Sequence, residues 1–209
     1  MTRYCAIALG LTLIGIACSQ SAQTSSAQPA MPQAENAAQS GIAVLRQLVT
    51  DQNFRDMGFD SRDQVDHAQI DQPWSLFNIG LDQLKTYQAG TNADALLQPS
   101  ADTIFPVSVS GQVKSSVTVT HGDKGFTPSS FGSAPIVKEL AKYRQSGAFV
   151  VRVPALSMYF VGTRVDGRLM LTPIIADPRL KAEVGVATPA QQIIEQLVPI
   201  ANGYNGLPM

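Results

Sequence analysis

The chain has 209 residues, 44% of them hydrophobic and 15% charged, with a formal net charge of -1. That is ample for one well-buried domain and short for two. With no surplus of Lys or Arg, nothing suggests a phosphate-tracking surface, which argues against nucleic acid as a partner.

Both cysteines, Cys5 and Cys18, lie near the N-terminus. The rest of the chain therefore offers no disulfide framework, thiolate metal site or cysteine nucleophile. Arg3 precedes a continuous apolar run over residues 6–17 (AIALGLTLIGIA). A bilayer-spanning helix needs about 20 apolar residues, so this shorter run behind a basic start reads as an export signal, residues 1–17. It ends in Gly15-Ile16-Ala17-Cys18-Ser19. This ending resembles the lipobox of bacterial lipoprotein precursors, where a small residue precedes a cysteine that receives lipid. The family usually has Leu where this chain has Gly15. The resemblance covers the signal alone. It implies that Cys18 is lipidated and becomes the mature N-terminus, so that the membrane is a partner through that lipid. Ser19 after the cysteine implies a periplasmic protein at the outer membrane, not a cytoplasmic one. The alternative is ordinary cleavage near Ala17 or Ala22 and a free periplasmic protein.

Residues 19–34 (SQSAQTSSAQPAMPQA) carry no charge and no aromatic side chain. A segment with so little to bury reads as a disordered tether. As a flexible coil it would span about 20 Å on average. Together with Cys18 it makes a linker, residues 18–34, ahead of a single domain at 35–209.

Residues 35–50 are expected to form the first helix, since Ile42, Leu45, Leu48 and Val49 recur at helical spacing. Gly58 breaks the segment that follows, and Ser61 with Gln64 has the spacing of a capping box opening a short helix through His67. Residues 73–81 (PWSLFNIGL) read as a strand, 82–87 as a turn or one helical winding, and 89–102 as a loop with a single turn near 93–97.

Residues 103–132 read as two successive hairpins. The first turn holds Ser110-Gly111, and its length decides the register. A two-residue loop pairs Val109 with Gln112 and sets the apolar residues of the two strands on opposite faces. A three-residue loop from Val109 to Gly111 pairs Ser108 with Gln112 and brings Phe105 and Val107 onto one face with Val113, Ser115 and Val117. The three-residue loop is preferred, the shorter one being tolerable only if the sheet is covered on both faces. The second connection is His121-Gly122-Asp123-Lys124-Gly125. A third strand returns over 126–131, with Pro128 expected at an edge or a bulge.

Ser133 has the position of a helix cap, with Pro135 in the first turn, Ile136, Val137, Leu140 and Ala141 on the buried face, and Gly147 past the end. Residues 149–153 and 156–163 read as strands interrupted by Pro154 and Ala155. A loop of Val165, Asp166 and Gly167 would align Val161 and Thr163 with Leu169 and Leu171 on a strand over 168–175. Thr188, Pro189 and Gln191 open a last helix with core residues Ile193, Ile194, Leu197 and Val198, which Pro199 kinks or ends. Short hairpin connections predict an α+β fold, an antiparallel sheet built from hairpins with helices packed mainly on one face.

Histidines occur at positions 67 and 121 alone. Asp63 and His67, four apart, would share a face of a short α-helix and suit a metal, but further ligands at diagnostic spacing are lacking. A solvated helix face is the favoured reading, so no metal site and no cofactor are assigned. His121 sits in a turn, where a triad would need a serine and a carboxylate brought to it. The stretch Phe131-Gly132-Ser133-Ala134-Pro135 lacks the second glycine of a nucleophile elbow, and no Ser-x-x-Lys occurs. His121, Asp63 and His67 are thus weak catalytic candidates. Trp74, Phe77, Tyr159 and Phe160 lie on predicted strands as a possible binding surface, with burial in the core the favoured reading.

The reading that follows is an exported, lipid-anchored envelope protein with a non-catalytic binding or accessory role. A protein or peptide partner could add a strand at the 126–131 edge. The alternatives are an envelope hydrolase of unrecognised type and a structural envelope component.

Overall fold

The computed structural model describes residues 30–206. The export signal, Cys18 and the tether as far as residue 29 lie outside the described residues; its last part, residues 30–34, expected to be disordered, is helical. Helix α1 (Ala30–Leu48) begins five residues before the expected start. The apolar spacing already holds there: Ala34 and Ala38 are as buried as Ile42 and Leu45, and small residues let the helix lie close to the sheet.

Residues Gln69–Ile70 form β1, Trp74–Asn78 β2, Gln98–Val109 β3, Gln112–Gly122 β4 and Gly125–Phe131 β5. After helix α3 come β6 (Phe149–Val153), β7 (Met158–Val165), β8 (Arg168–Pro173) and β9 (Thr188–Pro189). Helix α2 is Leu81–Lys85, α3 is Ala134–Tyr143 and α4 is Ala190–Gly203. The described strands make one sheet in the order β5-β4-β3-β2-β6-β7-β8-β9, with β1 also paired to β3. All pairings are antiparallel except β2 with β6, which run parallel. Two meanders, β3-β4-β5 and β6-β7-β8, therefore flank the central β2. The chain leaves the first at its outer edge and returns to the middle through α3, a crossover that sets α3 on one face of the sheet.

The opposite face carries the other helices. There α1 covers Phe105, Val107, Val117 and Val119, and α4 with α2 covers Val151, Phe160 and Leu171 through Ile193, Ile194 and Leu197. On the α3 face, Trp74, Leu76, Ile104 and Val150 pack against Val137 and Leu140. The fold is α+β, with a hairpin-built sheet and three of the four α-helices among the described residues on one face.

Both meander turns are shorter than expected. Val109 pairs with Gln112 and Val165 with Arg168, so each loop has two residues. Ser110 and Gly111 have φ of 52 and 76°, Asp166 and Gly167 of 50 and 75°. Left-handed φ at both central positions defines the type I′ turn, whose twist matches the flanking strands. In β3–β4 the apolar parity is rescued by a bulge: pairing passes from Ser108↔Val113 to Val107↔Ser115, leaving Lys114 extra. Phe105 then faces the same way as Val117, as expected, by a different device, while Val113, expected with them, lies opposite Ser108 and packs on the α3 side. In β7–β8 the pairing is unbroken, and Gly162 rather than Val161 lies opposite Leu171, with Arg164 rather than Thr163 opposite Leu169. The apolar sets fall on opposite faces, which is tolerable because helices cover both.

Ser61 and Ser133 hold the cap positions of their helices, but the side-chain capping bonds expected of them and of Thr188 are absent. Ser61 makes no capping bond to the 3-10 helix Arg62–His67; Gln64 Oε1 instead accepts from the Asp60 amide at 2.9 Å. Ser133 sits at φ 53° and contributes its carbonyl, 3.0 Å from the Val137 amide, rather than its hydroxyl. Thr188 and Pro189 pair with β8, and α4 runs through Pro199 to Gly203.

Candidate functional site

Side chains alternate across a strand, so the residues facing α3 are fixed by register. Ile104 lies opposite Thr118, Asp102 opposite Thr120, and Thr118 opposite Ser130. On the other side of β2, Asn78 lies beside Arg152 and Arg152 opposite Tyr159. Helix α3 covers the apolar part of this face and stops short of its polar part. The remainder is a cleft of about 220 Å³, bounded by the start of α3 at Ser133 and by edge strand β5. Leu76, Ile104, Ile136 and Val137 supply its apolar lining, with Tyr159 alongside.

The polar wall is a connected chain. Arg152 Nε donates to Asn78 Oδ1 at 3.1 Å, and Arg152 Nη2 lies 3.7 Å from Asp102 Oδ2. Both side chains of that ion pair are 27% exposed. The Thr120 hydroxyl donates to Asp102 Oδ1 at 2.6 Å and lies 2.6 Å from Ser129 Oγ. The Ser129 hydroxyl also lies 3.3 Å from the Thr118 carbonyl, which accepts from it. Ser116, buried at the back, donates to the Gly132 carbonyl at 2.8 Å and ties β4 to the entry of α3.

These groups hold one another rather than activate one another. A nucleophilic hydroxyl needs a base beside it. Ser129 has beside it another hydroxyl and the Thr118 carbonyl, neither of them a base, and the carboxylate beyond is already occupied by Thr120 and Arg152. The arrangement suits recognition: donors and acceptors in a fixed row over an apolar lining.

The residues singled out from sequence lie elsewhere, with one exception. Asp63 and His67 are exposed on the 3-10 helix Arg62–His67, and among the described residues no hydrogen bond or ion pair joins them. The pair four apart that does meet there is Arg62 with Asp66, at 3.6 Å. His67 borders an open depression with Arg46 and Asp66. His121 is exposed on the β4–β5 hairpin and stacks on its cross-strand partner Phe126, with ring centroids 4.4 Å apart. Among the described residues no group of three or more His, Cys, Asp or Glu side chains is placed to hold a metal.

The aromatic set does not form one surface. Trp74 and Tyr159 face α3, while Phe77 and Phe160 point to the opposite side. Trp74 and Phe160 are buried in core clusters, and Phe77 packs edge-on against Phe149 at 5.0 Å. Tyr159 alone reaches the cleft. Strand β5 is at the sheet edge as expected, and its pairing is irregular between Val119↔Pro128 and Thr118↔Ser130. A proline and a bulge on an edge discourage an added strand. Comparison with protein-family models, with curated proteins and with solved structures returned no match.

Proposed function

We propose that the chain is an exported, lipid-anchored envelope protein whose folded domain binds a ligand in the α3 cleft without transforming it. The address rests on the apolar run and the Gly15–Ser19 motif, which put a lipid on Cys18 and the domain in the periplasm at the outer membrane. Among the described residues no helix is long and apolar enough to cross a membrane; in this reading the attachment is the lipid. The observation carrying the binding role is the Ser129–Thr120–Asp102–Arg152 row. It is built across separate strands, partly exposed, and holds no group poised to move a proton. A purely structural envelope role leaves this cleft without a use.

The test is mass spectrometry of the protein isolated from membranes, alone and with whatever co-purifies. The reading expects a mature chain starting at a lipid-modified Cys18 and a co-purifying component that is lost in Arg152→Ala. A chain starting beyond Cys18 ends the anchor. Identical co-purification with and without Arg152 ends the cleft's role.

A further inference from the structure

We infer that the α3 cleft takes a neutral carbohydrate, one sugar ring at a time; the inference rests on the reading of the cleft as a binding site. Three features select this chemistry. The first is charge. Asp102 and Arg152 are the charged side chains that line the cleft, and they face each other. A compensated pair offers no net field to recruit an ion. It does offer a guanidinium fork beside a carboxylate, donors next to acceptors, which suits neighbouring hydroxyls that each donate and accept.

The second feature is the lining. Thr118, Ser129, Ser130 and Ser133 present hydroxyls, groups that bond in either direction and so tolerate a polyol. Beside them on the same face of the sheet lie Ile104 and Leu76, with Tyr159 farther along on β7. A pyranose has the same split, an edge of hydroxyls and a face of C–H groups, and an apolar body with a polar tip such as Tyr fits that boundary. The third feature is size. About 220 Å³ is below the roughly 300–1,000 Å³ of sites for drug-sized ligands. It accommodates one ring and leaves the rest of a glycan outside.

The competing small ligand is an amino-acid zwitterion, whose carboxylate and ammonium could engage Arg152 and Asp102 separately. The two are distinguished by ligand-observed saturation-transfer NMR on the full chain in detergent, with glucose, N-acetylglucosamine and alanine as probes at tens of millimolar. The inference expects a saturable signal from at least one sugar and none from alanine. Arg152→Ala is expected to weaken sugar binding tenfold or more, as loss of hydrogen bonds from a charged donor does. Tyr159→Ala is expected to weaken it several-fold, with Tyr159→Phe closer to the original. If Arg152→Ala fails to fold, Ser130→Tyr on the exposed edge fills the cleft and abolishes the signal. A sugar signal unchanged by Arg152→Ala and by Ser130→Tyr overturns the inference, since the sugar then sits elsewhere. A signal from alanine alone, lost in Arg152→Ala, overturns the carbohydrate class and leaves the binding cleft standing. Silence from every probe overturns the carbohydrate inference, and the co-purification test then decides the cleft separately.

Discussion

Replacing Gly41 by Ala sets two physical effects against each other. Gly41 lies inside α1, and an exposed helical Gly→Ala change stabilises by about 1 kcal/mol. Gly41 is not exposed, however. A Cβ there would stand 2.6 Å from Val117 Cγ1, 3.4 Å from Pro128 Cβ and 3.5 Å from Phe131 Cε1. Val117 is fully buried in the cluster under α1, so it cannot swing away without opening space beside Phe105. Overpacking of a tight core costs about 1–3 kcal/mol. The clash therefore outweighs the propensity gain, and Gly41→Ala is expected to destabilise by about 1 kcal/mol, or about 3 °C in Tm for a chain of this size. Urea unfolding followed by circular dichroism measures it. Adding Val117→Ala supplies the control. Alone that change costs about 2 kcal/mol of lost burial, but in the Gly41→Ala background it removes the clash, so the pair should cost less than the sum. A Gly41→Ala protein more stable than the original by the full helix-propensity gain would mean that α1 does not press on β4 in this register.

Other changes probe separate parts of the fold. Ser110→Asn should stabilise by up to about 1 kcal/mol, because Asn accepts the left-handed φ of 52° at the first position of the type I′ turn better than Ser; no gain in urea midpoint would contradict that turn type. Ser115 is fully buried toward α1, and its hydroxyl has no hydrogen-bond partner among the described residues. An unpaired buried hydroxyl costs about 1–3 kcal/mol, so Ser115→Ala should raise the midpoint, and a loss would show that the hydroxyl is satisfied. Hydrogen bonds from Arg179, one of 2.8 Å from its Nε, hold the Asp177 carboxyl below its ordinary value of 3.8. A carboxyl depressed in the folded state stabilises above its unfolded value, and that stabilisation is lost as pH falls through the folded one. Asp177→Asn should therefore flatten the stability profile from about pH 5 downward and leave a constant deficit near neutrality; an unchanged acid limb would exclude the pair.

Much of the fold was legible because local chemistry and tertiary structure agree. The strand Phe149–Val153 matches its expected bounds, and the 3-10 turn Ala93–Leu96 and α2 lie where short windings were placed. The hairpin turns were legible as turns but not in length. The three-residue loop was preferred because it alone gave a common apolar face without irregularity. The molecule reaches that face with a tighter turn and an extra residue, Lys114, whose ammonium lies 2.8 Å from Asp60. A bulge leaves no composition signature when its residue is an ordinary lysine. The second hairpin needs no correction, because α4 and α3 cover its two faces, and that depends on where the chain goes after β5, a long-range fact. The capping bonds fail for separate reasons at Ser133, where a left-handed φ accompanies a carbonyl contact to the helix, and at Thr188, which pairs with β8; Ser61 has the extended backbone of a cap without the bond.

The cleft was harder to see because sequence reading looks for chemistry in residue types, and this site is made by register. Asp102, Thr118, Thr120 and Arg152 carry no motif and are scattered over three strands. Their signal was present in reverse. Between Ser116 and Thr120 every second residue is polar, Val117 and Val119 standing between, and such alternation marks a face turned from the core under α1. The crossover α3 changes its meaning, because a helix laid over half of that face turns the other half into a wall. The aromatic residues misled for the same reason: Trp74 and Phe77, like Tyr159 and Phe160, differ by an odd number of positions and so point to opposite faces of their strands. A search for sites in a hairpin-built sheet must therefore follow parity on both faces, and give the polar parity the weight usually reserved for the apolar one.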